Sequence, residues 1–383
     1  MYRCINKIRN YNGAIEEYII KCEETGKVMR VTSDELHNIM KKQPNSVINL
    51  KLTSNNRIIE IGRKKDDAIR LTPDDINKLN YICKNSKNPV DLNFQIQQIS
   101  NLNDQKHKLD IAGMKSTVIC NGNAIAILSN ETLKVVSNTK IHLTNDSKFR
   151  YTNFRSIDLR NTCPDEITDA SEYFHNALAQ DIYLDWSSIP YLTCMTGIFS
   201  QQYEFLHANS PYSNSTPNTN IVRVHGLETI NTSNVWIFVS AFEGVKMNKV
   251  DISKWNLCKI KMANQMFKEA MINELIIGNH PESKSPENTR DMFEDCTCDK
   301  IDLSGLVLDK IEFPSGMFNI TKARQGIDLR TKSGFLVNVQ KFFKPGCETR
   351  AFNPFNNVKS QVYLNKDDYA ANRFYNERRT SPN

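Results

Sequence analysis

A phenylalanine returns at a nearly constant interval through the second half of the chain. Phe174, Phe199, Phe242, Phe267, Phe293, Phe318 and Phe343 are separated by 25, 43, 25, 26, 25 and 25 residues. Each closes a segment that opens on an apolar-x-apolar triplet, as in "IDLRNTCPDEITDASEYF" (157–174), "VDISKWNLCKIKMANQMF" (250–267) and "IDLSGLVLDKIEFPSGMF" (301–318); a divergent copy, "VRVHGLETINTSNVWIFVSAF", covers 222–242. A unit this short cannot bury its own apolar side, so the copies must stack. Stacking turns the triplets into a parallel strand ladder and the phenylalanines into a continuous inner column. The one long interval holds "HANSPYSNSTPNTN" (207–220), a polar loop inserted between the second and third units.

In "VDISKWNLCKIKMANQMF" Met and Phe close the unit at helical spacing, so the expectation for the repeat is a short strand followed by a short helix or turn. The segments "DISKW", "ITDASEYF", "MANQMF" and "TRDMF" resemble both halves of the BspA-type leucine-rich repeats of bacteria. The resemblance covers 155–347. It implies an α/β leucine-rich-repeat solenoid of about seven units, a parallel strand ladder with short helices, acting as a non-enzymatic protein-interaction scaffold.

Residues 1–63 read as a separate, small β-rich α+β module. Alternating apolar residues with turn signals at Asn12-Gly13 and Thr25-Gly26 predict a three-stranded meander, "TSDELHNIMKKQ" a short helix, and "SVINLKLTSNNRIIEI" two further strands. This module is similar to short N-terminal modules that precede unrelated domains in proteins of low-GC bacteria and their mobile elements. Residues 64–154 are expected to cap the open end of the ladder. Thr72 as N-cap, Pro73 at the first helical position and Asp74 and Asp75 in the first turn predict a helix, and "VDLNFQIQQI", "KLDIAG", "NAIAILSN" and "LKVVSNTKIHLTN" predict strands. Residues 348–383 form an aromatic-basic tail carrying Phe352, Phe355, Tyr363, Tyr369, Phe374 and Tyr375; Phe374 is expected to matter far less to stability than Phe267.

Several chemistries lack their sequence signals. The 14 glycines never form G-x-G, which removes the dinucleotide fingerprint and the P-loop, and neither H-E-x-x-H nor G-x-S-x-G occurs. The 10 cysteines include no C-x-x-C pair; Cys296 and Cys298 come closest, without a second pair or a neighbouring His, so no metal and no cofactor is expected. No run of 18 apolar residues is present, and "MYRCINKIRNYNGAIEEYIIK" lacks a secretory pattern, so no membrane partner and a cytoplasmic setting are expected. That departs from the many family members that look like surface proteins; a cell-surface adhesin is the reading only for a trimmed mature form.

Binding residues are sought where the strands face outward. Between the two inward residues of each triplet lies one outward residue, giving the column Asp158, Tyr183, Arg223, Asp251, Ile276, Asp302 and Asp328. Asp belongs to the repeat pattern, so Tyr183, Arg223 and Ile276, which depart from it, are the sharper candidates for a protein partner. Trp186 and Trp255 are read as packing residues, and Trp236 as either packing or contact. A net charge of +6, "GRKK" at 62–65 and the tail raise nucleic acid as a second kind of partner, for a nucleic-acid-associated or anti-defence protein of a phage or mobile element. Because 49 basic and 43 acidic residues are interleaved, that reading ranks below protein binding.

Overall fold

A computed structural model describes residues 68–84, 86, 88–201, 222–336 and 353–376, together with the backbone of five strands in the first 63 residues. The chain divides into two units, Met1–Ile69 and Arg70–Asn383. In the first, β1 (Tyr2–Arg9), β2 (Ile15–Cys22) and β3 (Val28–Thr32) form the expected antiparallel meander, and β4 (Ile48–Leu52) pairs antiparallel with β5 (Ile58–Arg63). The helix expected in "TSDELHNIMKKQ", the 207–220 loop, Phe343 and Phe352 lie outside the described residues.

The second unit is mixed α/β with parallel-strand sheets. Helix α1 (Pro73–Cys83) begins as its sequence requires: Asp75 N–H donates to Thr72 Oγ1 at 3.2 Å, and Thr72 N–H donates back to Asp75 Oδ2 at 3.0 Å. One sheet orders β6 (Val90–Ile96), β7 (Lys115–Ile119), β8 (Ala124–Ser129), β9 (Thr132–Ser137), β10 (Phe154–Asp158), β11 (Asp181–Tyr183) and β12 (Arg223–His225) as β12-β11-β10-β6-β9-β8-β7. The segment expected to cap the ladder thus shares a sheet with the first repeats. Its β6 runs parallel to β10, while β7, β8 and β9 pair antiparallel. "KLDIAG", expected as a strand, instead lies across the end of helix α2 (Leu102–Ile111). Asn101 caps that helix by accepting from the Asn103 and Asp104 amides, and Leu109 packs on Ile125 and Val136.

Beyond β12 the parallel pairing continues through β13 (Lys246–Asp251), β14 (Met271–Ile276), β15 (Thr297–Cys298), β16 (Ile301–Asp302), β17 (Lys322–Ala323), β18 (Ile327–Asp328) and β19 (Val362–Tyr363). These belong to two sheets, β13-β14-β15-β17 and β16-β18-β19. A last helix, α3 (Tyr369–Asn376), buries Ala371 and Phe374.

The phenylalanine segments are not the short helices their spacing suggests. Around Phe267, Gln265 and Glu269 have φ of 58°, and around Phe293, Asp291 and Asp295 have φ of 56° and 49°. A left-handed residue two positions before and two after the ring cannot belong to a right-handed helix. What these turns gain is hydrogen bonding between coils. The amides of Ala263, Gln265, Phe267 and Glu269 donate to the carbonyls of Asn288, Arg290, Met292 and Glu294 at 2.7–2.9 Å, while the amides of Met266, Lys268 and Ala270 close local turns. Alternate amides therefore serve the next coil and the same coil, which leaves the buried backbone satisfied without a helix.

Inside, the rings stack. From Phe149 through Phe174, Phe199, Phe242, Phe267, Phe293 and Phe318 to Phe355, successive centroids lie 5.2–6.0 Å apart with interplanar angles of 5–24°. Phe355 takes the place after Phe318, and Val362–Tyr363 pairs with Ile327–Asp328, so residues 353–363 extend both the column and the ladder. Trp186 and Trp255 are buried against it as expected, and Trp236 is 41% exposed. Phe374 is also buried, contrary to its expected minor part.

Candidate interaction surface

Strand pairing sets which outward residues are neighbours. Asn93, Asp158, Tyr183 and His225 pair across β6, β10, β11 and β12, and Asp91, Ser156, Asp181 and Arg223 form the row two residues earlier. Further along, Asp251 pairs with Ile276, Asp302 with Asp328, and Asp328 in turn with Tyr363. Arg223 is therefore not in the row of Tyr183: it stands opposite Asp181, and His225 holds the place expected for it. The cause is Gly226. Val222 is buried as well, but pairing sets Val224 opposite Ile182, so the triplet runs Val224-His225-Gly226 where the neighbouring strand runs Ile182-Tyr183-Leu184, and glycine leaves no apolar side chain for the pattern to show. Its φ is +83°, and a Cβ there would lie 2.2 Å from the Leu184 carbonyl oxygen.

The four aspartates share a local task. Asp158, Asp251, Asp302 and Asp328 each accept the amide two residues ahead, from Arg160, Ser253, Ser304 and Arg330, at 3.1–3.2 Å. This is the Asx turn that ends a strand and starts a bend. Arg330 also forks onto Asp328 at 2.9 and 2.6 Å and holds that carboxyl below the usual carboxylate range.

Around Tyr183 the surface carries more. Its ring is flanked by the Arg160 guanidinium, 4.8 Å from the centroid, and by the His225 imidazole, stacked at 4.3 Å and 7°. Arg160 is forked onto Asp158 at 2.9 and 2.6 Å. Arg223 donates two bonds to Asp181 at 2.7 and 2.6 Å, and His225 Nε2 lies 2.8 Å from the same carboxylate. Arg223, helped by His225, keeps Asp181 below the usual carboxylate range although burial opposes it. The result is a half-exposed plate of aromatic and guanidinium groups, orientated by two carboxylates on strands that cannot shift independently. Planar groups held this way lose little freedom when a partner covers them.

Its smaller counterpart lies at the other end of the ladder. The tetrapeptide Ile-Asp-Leu-Arg recurs at 327–330, and Arg330 lies 5.3 Å over Tyr363, which is 42% exposed. Sequence reading missed Arg160, His225, Asp181, Arg330 and Tyr363 as members of this face. The repeated Ile-Asp-Leu-Arg was the available signal for the arginines, whereas Tyr363 required knowing that the tail rejoins the ladder. Ile276, between them, is partly exposed and stands where the neighbouring strand has Asp251.

Of the tail aromatics, Phe355 and Phe374 belong to the core, while Tyr363 and Tyr369 reach solvent. Cys296 and Cys298 are both buried, and the Cys298 contact together with burial pushes the Cys296 thiol well up. Among the described residues, one group of three metal-competent side chains lies close together, His142, Cys163 and Asp165, and none of them belongs to the strands of this face. No helix among the described residues is long and apolar enough to cross a membrane.

The sequence pattern of the family described as "Mycoplasma protein of unknown function, DUF285" matches residues 211–328, from within the 207–220 loop through the divergent unit to Asp328. No curated protein and no solved structure matches the chain.

Proposed function

We infer that the second unit is a leucine-rich-repeat solenoid of the BspA type that binds a protein partner through its strand-lined face, without catalysing a reaction, in the cytoplasm. The solenoid reading is supported by coils that hydrogen-bond to their neighbours at a 25-residue step and by the stacked phenylalanine column. The observation that carries the binding reading is the Tyr183 plate. Tyr and Arg are the residue types that anchor protein interfaces; here Tyr183 stands partly exposed where the repeat needs only an aspartate, with the Arg160 guanidinium against its ring.

The same geometry weighs against a nucleic-acid partner at this face. Arg160, Arg223 and Arg330 are each forked onto an aspartate, and phosphate would have to displace those carboxylates. Affinity capture from native extract, with and without nuclease and across a salt series, tests the reading. The expected result is a partner that survives nuclease and weakens only gradually with salt. Loss of all captured material after nuclease, together with a steep salt dependence of the purified protein on DNA or RNA, overturns it, because phosphate binding releases counterions.

A further inference from the structure

We propose that His142, Cys163 and Asp165, with Glu166 beside them, form a binding site for a divalent transition-metal ion of the zinc type at the start of the ladder. Cys163, Asp165 and Glu166 are close in sequence, whereas His142 lies 21 residues before Cys163 and is brought to them by backbone pairing between coils. His142 bridges in parallel to Arg70 on one side and to Cys163 on the other. Leu143 N–H donates to the Cys163 carbonyl and Cys163 N–H to the Ile141 carbonyl, both at 2.8 Å. Pro164 then begins a turn closed by the Ile167 amide at 3.0 Å, which carries Asp165 and Glu166 back towards the imidazole.

Three different donor atoms converge. His142 Nδ1 lies 3.0 Å from Asp165 Oδ1, Cys163 Sγ lies 3.2 Å from the same oxygen, and the three atoms are all within 4.8 Å of one another. Tetrahedral zinc with ordinary bond lengths requires N···O and S···O edges of about 3.4 to 3.6 Å. Those two edges need to open by only a few tenths of an ångström, while the Nδ1···Sγ edge, within 4.8 Å as it stands, has to settle at about 3.6 Å for the hydrogen-bonded cluster to become a ligand set. Glu166 Oε1, 3.6 Å from Nδ1, is the nearest fourth donor, and Arg70 orientates its carboxylate through bonds of 2.8 and 2.9 Å.

The donor types select the ion. A thiol and an imidazole beside carboxylates suit zinc, and the thiol disfavours calcium and magnesium, which take oxygen. Charge also closes: a thiolate and two carboxylates are balanced by a divalent ion and Arg70. The His142 and Asp165 side chains are 21% and 25% exposed, enough for an ion to reach them, and Glu166 is 12% exposed. An ion held here would join the segment after β9 to the first full coil, clamping the end of the ladder from which the Tyr183 plate projects.

The full chain, reduced with a phosphine and freed of metal with a chelator, should be titrated with zinc by calorimetry and with cobalt(II) by absorption. The expected result is one ion per chain at this site, with intense tetrahedral cobalt bands and a thiolate-to-cobalt charge-transfer band. Cys163→Ser and His142→Gln should abolish that signal, Cys258→Ser should keep it, and Glu166→Gln should weaken zinc by about 10- to 100-fold. Zinc should raise the thermal midpoint of the wild type but not of Cys163→Ser. A readout independent of variant folding is alkylation of the wild type by iodoacetamide, mapped by mass spectrometry, in which zinc should protect Cys163. Equal alkylation of Cys163 with and without zinc, or a cobalt band that persists in folded Cys163→Ser, overturns the site.

Discussion

The inner and outer columns of the ladder run side by side and obey the same period, but only one of them is uniform. Inside, every described coil from Phe149 to Phe355 presents the same ring at nearly the same spacing and tilt. Outside, the positions change from Asp158 to Tyr183 and His225, from Asp251 to Ile276, and from Asp328 to Tyr363. The inner column is constrained by close packing, since a ring of another size leaves a void or a clash on both neighbouring coils. On the outer column an aspartate meets the local need by closing an Asx turn, and departures from it are free to serve contact. Where a repeat departs from its own rule without a packing reason, function is the place to look.

The largest effects should come from the inner column. Phe267→Ala removes a fully buried ring stacked on both sides and should destabilise by roughly 3–5 kcal/mol in urea unfolding. Phe374→Ala should fall in the same range, because that side chain too is buried; a change below about 1 kcal/mol there would mean that α3 does not pack as described. Next is Gly226→Ala, which meets both a left-handed backbone and the Leu184 carbonyl oxygen. It should cost more than about 1 kcal/mol, and a neutral result would mean that the backbone at Gly226 is neither left-handed nor so close to Leu184 as described.

The fold was legible wherever a side-chain type is dictated by packing. The period, the parallel ladder, the phenylalanine column, the buried Trp186 and Trp255, and the Thr72 cap could all be read from residues. Three things could not. Left-handed residues such as Gln265 and Asp291 are ordinary polar residues in sequence, and only inter-coil bonding explains why they break the helix that Met266 and Phe267 suggest. Gly226 hides the register of its unit because an absent side chain gives no signal. His142 meets Cys163 and Asp165, and Tyr183 meets His225, only across coils, so those pairings have no local spacing to detect.

A smaller effect is expected for Asp328→Ala, which loses the bond to the Arg330 amide, about 1 kcal/mol at neutral pH. Its sign with pH follows from the Asp328 carboxyl lying below the usual range because of Arg330. The carboxylate's stabilisation is complete above the unfolded value of about 4 and is lost as pH falls through the folded value. The gap between wild type and Asp328→Ala should therefore narrow below about pH 4. A gap that widens on acidification would mean the carboxylate is not held ionised by Arg330.

The smallest change in stability should accompany the largest change in binding. The double variant Tyr183→Ala, His225→Ala removes the stacked rings of the plate while leaving Arg160, Arg223, Asp158, Asp181 and the inner column in place. It should unfold within about 1 kcal/mol of the wild type. The deciding measurement is the affinity of that variant for the captured partner, on protein whose urea midpoint matches the wild type. At least a tenfold loss, about 1.4 kcal/mol of binding free energy, is expected if the outer column carries contact. Affinity equal to the wild type would contradict that, and would move the binding site off the strand-lined face.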